Sequence, residues 1–162
     1  MLEIEKCNYG SFCSQFSSSQ VVSITDVLEV APWLLKAKFD NAIISIDRKK
    51  NIIVWESGSW VSGIWLDGCW MSGRWYDGEW LSGIWYSGDW YNGTWHKGNW
   101  MSGVWLDGNW IYGFWSNGVW VSGIWRGGIW DNGTWMSGEW HNGIWDGGTW
   151  EYGDWFDGVW HK

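Results

Sequence analysis

No stretch of this chain is apolar for long enough to cross a membrane, because glycine or a polar residue interrupts it every few positions. Its first residues, MLEIEKCNYG, lack the basic segment and apolar run of a secretory signal. No membrane partner is therefore expected. Cysteine is scarce: Cys7, Cys13 and Cys69 make an odd count without metal-ligand spacing. They read as free thiols of a reducing compartment, with a Cys7–Cys13 pair as the alternative. Basic side chains are scarce in one region in particular. Residues 55–162 carry twelve acidic and four basic groups, whereas residues 1–54 carry six of each. The whole net charge of −8 thus belongs to the C-terminal two thirds. Such a surface disfavours nucleic acid and favours basic partners.

What the chain has in abundance is tryptophan at a fixed interval. Trp recurs at every fifth residue from Trp55 to Trp160, and Gly stands two residues before each from Trp60 onward. Only Trp33 lies outside this register. The unit is W-x-x-G-x, a short fixed period that marks a repeat architecture. With 21% aromatic residues the chain can bury a core, so disorder is excluded despite its low complexity.

Two folds fit a five-residue period. One is a β-meander of very short strands joined by two-residue turns. It would leave every Trp on one face of a ribbon, an apolar surface in need of a cover. The other is a coil that always turns the same way, one pentad per side. A weaker period favours the coil: Ile64, Ile84, Val104, Ile124 and Ile144 precede Trp at steps of 20. Val61, Leu81, Met101 and Val121 repeat at the same step, whereas the step of 15 from Ile64 mixes Ile64, Glu79, Thr94 and Asn109. Four pentads per coil follow from this reading, with the Trp side chains filling the interior (Trp60, Trp65, Trp85, Trp105, Trp125 and Trp145 among them). The 22 pentads then make about five and a half coils, a rod of roughly 25–30 Å.

The pattern resembles the pentapeptide-repeat family, with Trp in place of the central Leu or Phe and Gly in place of the small residue two before it. Units nearer the family's own form are Ala37-Lys38-Phe39-Asp40-Asn41 and Ala42-Ile43-Ile44-Ser45-Ile46. The resemblance implies an all-β, right-handed quadrilateral β-helix. Trp plus Gly has nearly the summed volume of Phe plus Ala, so the same interior stays filled. The W-x-x-G-x unit is also similar to Trp-rich repeat proteins of tailed phages, which implies a cytoplasmic or virion-associated location.

Residues 1–36 read as an N-terminal cap and residues 37–162 as the solenoid. Ser23-Ile24-Thr25-Asp26 starts a helix with Thr25 or Asp26 as its cap, and Pro32 breaks or restarts it. Trp33, Leu34, Leu35 and Phe39 are expected to cover the first coil, because an open solenoid end exposes unpaired strand edges. Asp47-Arg48-Lys49-Lys50-Asn51 reads as a polar turn between two apolar strands. The C-terminal end, at Phe156, Val159 and Trp160, shows no cap.

Catalytic chemistry finds no foothold in the sequence. His96 and His141, 45 residues apart, fall on different sides of a four-sided coil, so no metal site is expected. Asp131 and Glu151 would stack as surface carboxylates, and Arg126–Asp146 and Asp77–Lys97 as modest surface ion pairs. The repeated G-x-x-x-x-G lacks the Lys-Ser/Thr of a phosphate loop. A non-enzyme without cofactor is expected. The leading reading is a structural or protein-interaction rod, a phage-particle component. Its docking side would comprise Val61, Ile64, Leu81, Ile84, Met101, Val104, Val121 and Ile124, facing a protein partner or a second copy. The alternatives are an acidic DNA mimic, as some pentapeptide-repeat proteins are, and a glycan-binding surface of exposed Trp.

Overall fold

The computed structural model describes residues 23–161; Cys7, Cys13 and the first 22 residues of the expected cap lie outside the described residues. From Ile64–Trp65 (β3) to Val159–Trp160 (β22), every pentad contributes one two-residue strand. Alternation along the strand sends Trp inward and the residue before it outward. The glycine then turns the chain. Gly103 is typical: its φ is +124°, and a Cβ there would stand 2.3 Å from the carbonyl oxygen of Gly88. Only glycine allows both that angle and that approach of one coil to the next.

Each strand pairs in parallel with the strand fifteen residues away, so Trp85, Trp100, Trp115 and Trp130 lie in one row. The parallel β-solenoid is thus the architecture, and the meander is not. The coil, however, holds three pentads where the sequence suggested four. Indole size gives the physical reason. Within a coil, Trp105 meets Trp100 and Trp110 edge to face at 6.0 and 5.8 Å, with ring planes 73° and 75° apart. Between coils it stacks on Trp90 and Trp120 at 4.7 and 4.8 Å, with planes within 6°. Three rings fill one layer in the favoured edge-to-face geometry, and the stacking distance equals the ~4.8 Å strand spacing. The seven strands of one side give about seven coils, hence a rod of roughly 30–35 Å, longer and thinner than expected.

The backbone bonds run along the rod. Met101 N–H donates to the Trp85 carbonyl at 2.8 Å and Asn99 N–H to the Gly83 carbonyl at 3.0 Å, a pair repeated through the array. Toward the C-terminal half the indoles join in. The Nε1–H groups of Trp110, Trp115, Trp125, Trp130 and Trp135 donate to corner carbonyls of the next coil at 3.0–3.2 Å. From Trp55 to Trp145 every Trp of the register is at most 1% exposed, which includes all six core positions named above.

The N-terminal end is closed by a different construction. Helix α1 (Ile24–Val30) is capped by Ser23, whose side chain accepts from Asp26 N–H; the cap lies before both Thr25 and Asp26. Pro32 opens a 3-10 helix, Pro32–Lys36, that sets Trp33 edge-on to Trp65 at 4.9 Å. Strand β1 (Lys38–Asp47) then runs antiparallel to β2 (Ile52–Ser62). The pentads at 37–46 therefore form no coil of the solenoid but seal it, and parallel pairing begins at β2. Phe39 pairs with Trp60 and Ile44 with Trp55, so β1 closes the edges of two sides; it bends round the corner between them at Asn41, φ +51°. The 3-10 helix covers the third side. Leu34 is buried, whereas Leu35 is 48% exposed. Arg48–Asn51 is the polar turn, with Asp47 accepting from Lys49 and Lys50 N–H. Among the described residues no helix is long and apolar enough to cross a membrane.

Candidate interaction surfaces

With the interior filled, chemistry resides in the outward residues, and the fifteen-residue register decides which of these are neighbours. The side built on Trp85, Trp100 and Trp115 carries Val54, Cys69, Ile84, Phe114, Ile129, Ile144 and Val159 in one row, interrupted only by Asn99. The side built on Trp105 carries Arg74, Asp89, Val104, Val119, Thr134 and Thr149. The side built on Trp110 carries Ile64, Glu79, Thr94, Asn109, Ile124, Glu139 and Asp154. One side is apolar and two are mixed.

The docking side expected from the sequence does not exist as a surface. Ile84 lies on the Trp100 side, Val104 on the Trp105 side, and Ile64 and Ile124 on the Trp110 side. Val61, Leu81, Met101 and Val121 likewise follow Trp residues of different sides. A step of 20 advances one pentad beyond a coil of fifteen, so these residues wind around the rod. The true apolar row has a step of 15 in the phase of Cys69 and Ile84, a phase different from that of the mixed row through Ile64. That phase was the available signal.

The same register revises the charge pairs. Arg126 lies beside His141 and Ile111, not Asp146, and Asp131 stacks toward Asp146, not Glu151. Neither Arg126–Asp146 nor Asp77–Lys97 forms; Lys97 and Arg126 make no ion pair among the described residues. The close carboxylate contacts of the array belong to histidine: His96–Glu79 at 3.3 Å, His141–Glu139 at 2.9 Å and His161–Asp146 at 2.5 Å. His96 and His141 share one corner, three coils apart, where different sides were expected, and Ile111 and Arg126 separate them. Among the described residues no three potential metal ligands come together.

Among the described residues the incompletely covered indoles lie at the two ends: Trp33 at the N-terminal end, and Trp150, Trp155 and the 44% exposed Trp160 at the C-terminal end. Along the rod from Trp55 to Trp145 no indole face of the register is exposed. Instead the surface offers a shallow groove on the apolar side. A hollow of about 380 Å³ lies among Tyr112, Arg126, Gly127, Ile129, Asn142 and Ile144. A second, of about 340 Å³, continues it past Phe114 toward Lys97, with Tyr112 and Ile129 lining both. The notch exists because Gly127 stands at a corner position that bears Lys97, Tyr112 and Asn142 on neighbouring coils. No family model matches this chain, and no curated protein or solved structure matches it.

Proposed function

We propose that the protein is a rigid, non-catalytic interaction module: a solenoid rod that presents its sides to a protein partner or to a second copy, and a component of a phage particle. The observation that supports this most is the division of labour within the pentad. The register Trp and Gly of the pentads serve the interior and the corners, while variety is confined to outward columns that differ from side to side. A wall of parallel strands holds those columns in fixed register, which suits recognition by a flat, extended contact. The phage assignment draws on the similarity of the W-x-x-G-x unit, and mass spectrometry of purified particles tests it.

The alternative of a DNA mimic draws on the charge of −8. It receives little support from placement, because no outward column of the described residues holds more than two carboxylates in succession, as at Asp131–Asp146 and Glu139–Asp154. Photo-crosslinking tests the interaction reading. A photoreactive amino acid is placed at Ile129, Thr134 or Glu139, one for each side, in cells that make the full chain. A discrete protein adduct from one side and none from the other two is the expected result. Absence of adducts from all three overturns the reading.

A further inference from the structure

The cations of the array are few, and the fold gathers them. Of its four basic residues, Lys97 and Arg126 stand on one corner, together with His96 and His141. That corner leads into the apolar side. Over the five coils from Leu81 to Ile144, neither the corner nor the side holds a carboxylate, although the array as a whole carries twelve. Carboxylates of the array stand on the other two sides and, as Asp131 and Asp146, at the far corner of the apolar side, away from Lys97 and Arg126. The histidines are engaged by Glu79 and Glu139, but Lys97 and Arg126 are unpaired among the described residues. They flank the groove, two coils or ~10 Å apart along the rod. Between them lie Tyr112, 62% exposed, and the half-buried Phe114 and Ile129.

We infer that this groove docks an acidic, apolar segment of a polypeptide partner, with carboxylates meeting Lys97 and Arg126 and apolar side chains lying on Phe114, Ile129 and Ile144. The inference rests on the interaction reading above and names its partner's chemistry. Charge complementarity selects an anion: on a −8 protein, Lys97 and Arg126 are unpaired here, and the two carboxylates that reach this corner, Glu79 and Glu139, are turned to His96 and His141. The lining selects a peptide over other anions. Isoleucine and phenylalanine offer nothing to sugar hydroxyls, and two unpaired cations are too few to hold a nucleic-acid backbone against the surrounding acidic surface. They do accept the apolar side chains of a peptide.

A library of displayed random dodecapeptides, selected on the full chain and followed by resynthesis of the enriched sequences, tests this. Enriched peptides should be rich in Asp or Glu together with apolar residues. The double variant K97E/R126E should weaken them about ten-fold or more, and Arg74→Glu, on another side, should leave binding unchanged. Gly127→Asp supplies a second probe. Asp occupies the same pentad position at Asp107 and Asp157, and a Cβ at Gly127 meets only Tyr112 at 3.6 Å and the Ile111 carbonyl at 3.8 Å. This variant keeps the fold, which near-UV circular dichroism verifies, while it fills the notch with like charge; it too should abolish binding. The inference is overturned by enrichment of basic or neutral peptides, by no enrichment, by retention on both variants, or by binding of only an oligogalacturonate or an oligothymidylate. A photo-adduct from Thr134 or Glu139 alone would sink the groove and leave the interaction module standing.

Discussion

Gly103 and Gly127 are separated by 24 residues and differ in what they tolerate. Gly103→Ala places a Cβ against the Gly88 carbonyl at a strained φ of +124°, and should cost at least about 1–3 kcal/mol. Gly127 has no such angle and no such neighbour, so Gly127→Ala should stay within about 0.5 kcal/mol. Denaturant unfolding of the two variants measures the contrast, and similar losses in both would refute it. The tryptophans divide in the same way. Trp105, buried and packed against four indoles, should lose about 3–5 kcal/mol on change to Ala. Trp160, 44% exposed on the last coil, should lose under about 1 kcal/mol. Cys69 is buried, and burial pushes its thiol pKa up. It should therefore react slowly with alkylating reagents in the folded protein, as peptide mapping would reveal.

The elements owe their form to local chemistry in the cap and to packing in the array. Asp26 shows the first. Hydrogen bonding from Ser23 is the main cause that holds its carboxyl below the ordinary 3.8; desolvation opposes this, and the Arg48 charge adds to it. A carboxyl with a depressed folded pKa stabilises above its unfolded value, and that contribution is lost as pH falls through the folded one. Cap stability should therefore drop below about pH 4. Ser23→Ala should move the Asp26 titration, followed by NMR, upward, and should cost about 1 kcal/mol. An unchanged Asp26 titration in that variant would contradict the assignment. The two-residue strands show the second mode. A strand such as Val104–Trp105 has no stability alone and exists because its neighbours fifteen residues away lie on either side.

The whole molecule is a one-dimensional stack, so stability should vary along it. The N-terminal end has β1 and the 3-10 helix over its edges, whereas around Trp155 and Trp160 the described structure leaves the last coil uncovered. Hydrogen exchange should be slowest in the middle coils around Trp105 and fastest beyond Trp150. Quenching by iodide or acrylamide should reach few of the 23 Trp. Efficient quenching of most of them would be incompatible with the stacked core.

The sequence alone determined the pentad, the inward Trp, the glycine at each corner and the solenoid that follows, because each depends on the alternation of one strand and the angle of one turn. It also showed the N-terminal helix, its interruption at Pro32 and the turn at Asp47–Asn51, all of them local signals. The number of sides it did not settle. Five-residue periodicity is the same for three pentads per coil and for four, and the row of apolar residues at steps of 20 was as visible as the row at steps of 15. Only the packing of whole indoles, three to a layer and stacked at the strand spacing, chooses between them. That choice then decides every contact on the surface: it disperses Ile64, Val104 and Ile124, aligns Ile84 with Phe114 and Ile129, and brings Lys97 and Arg126 to one corner.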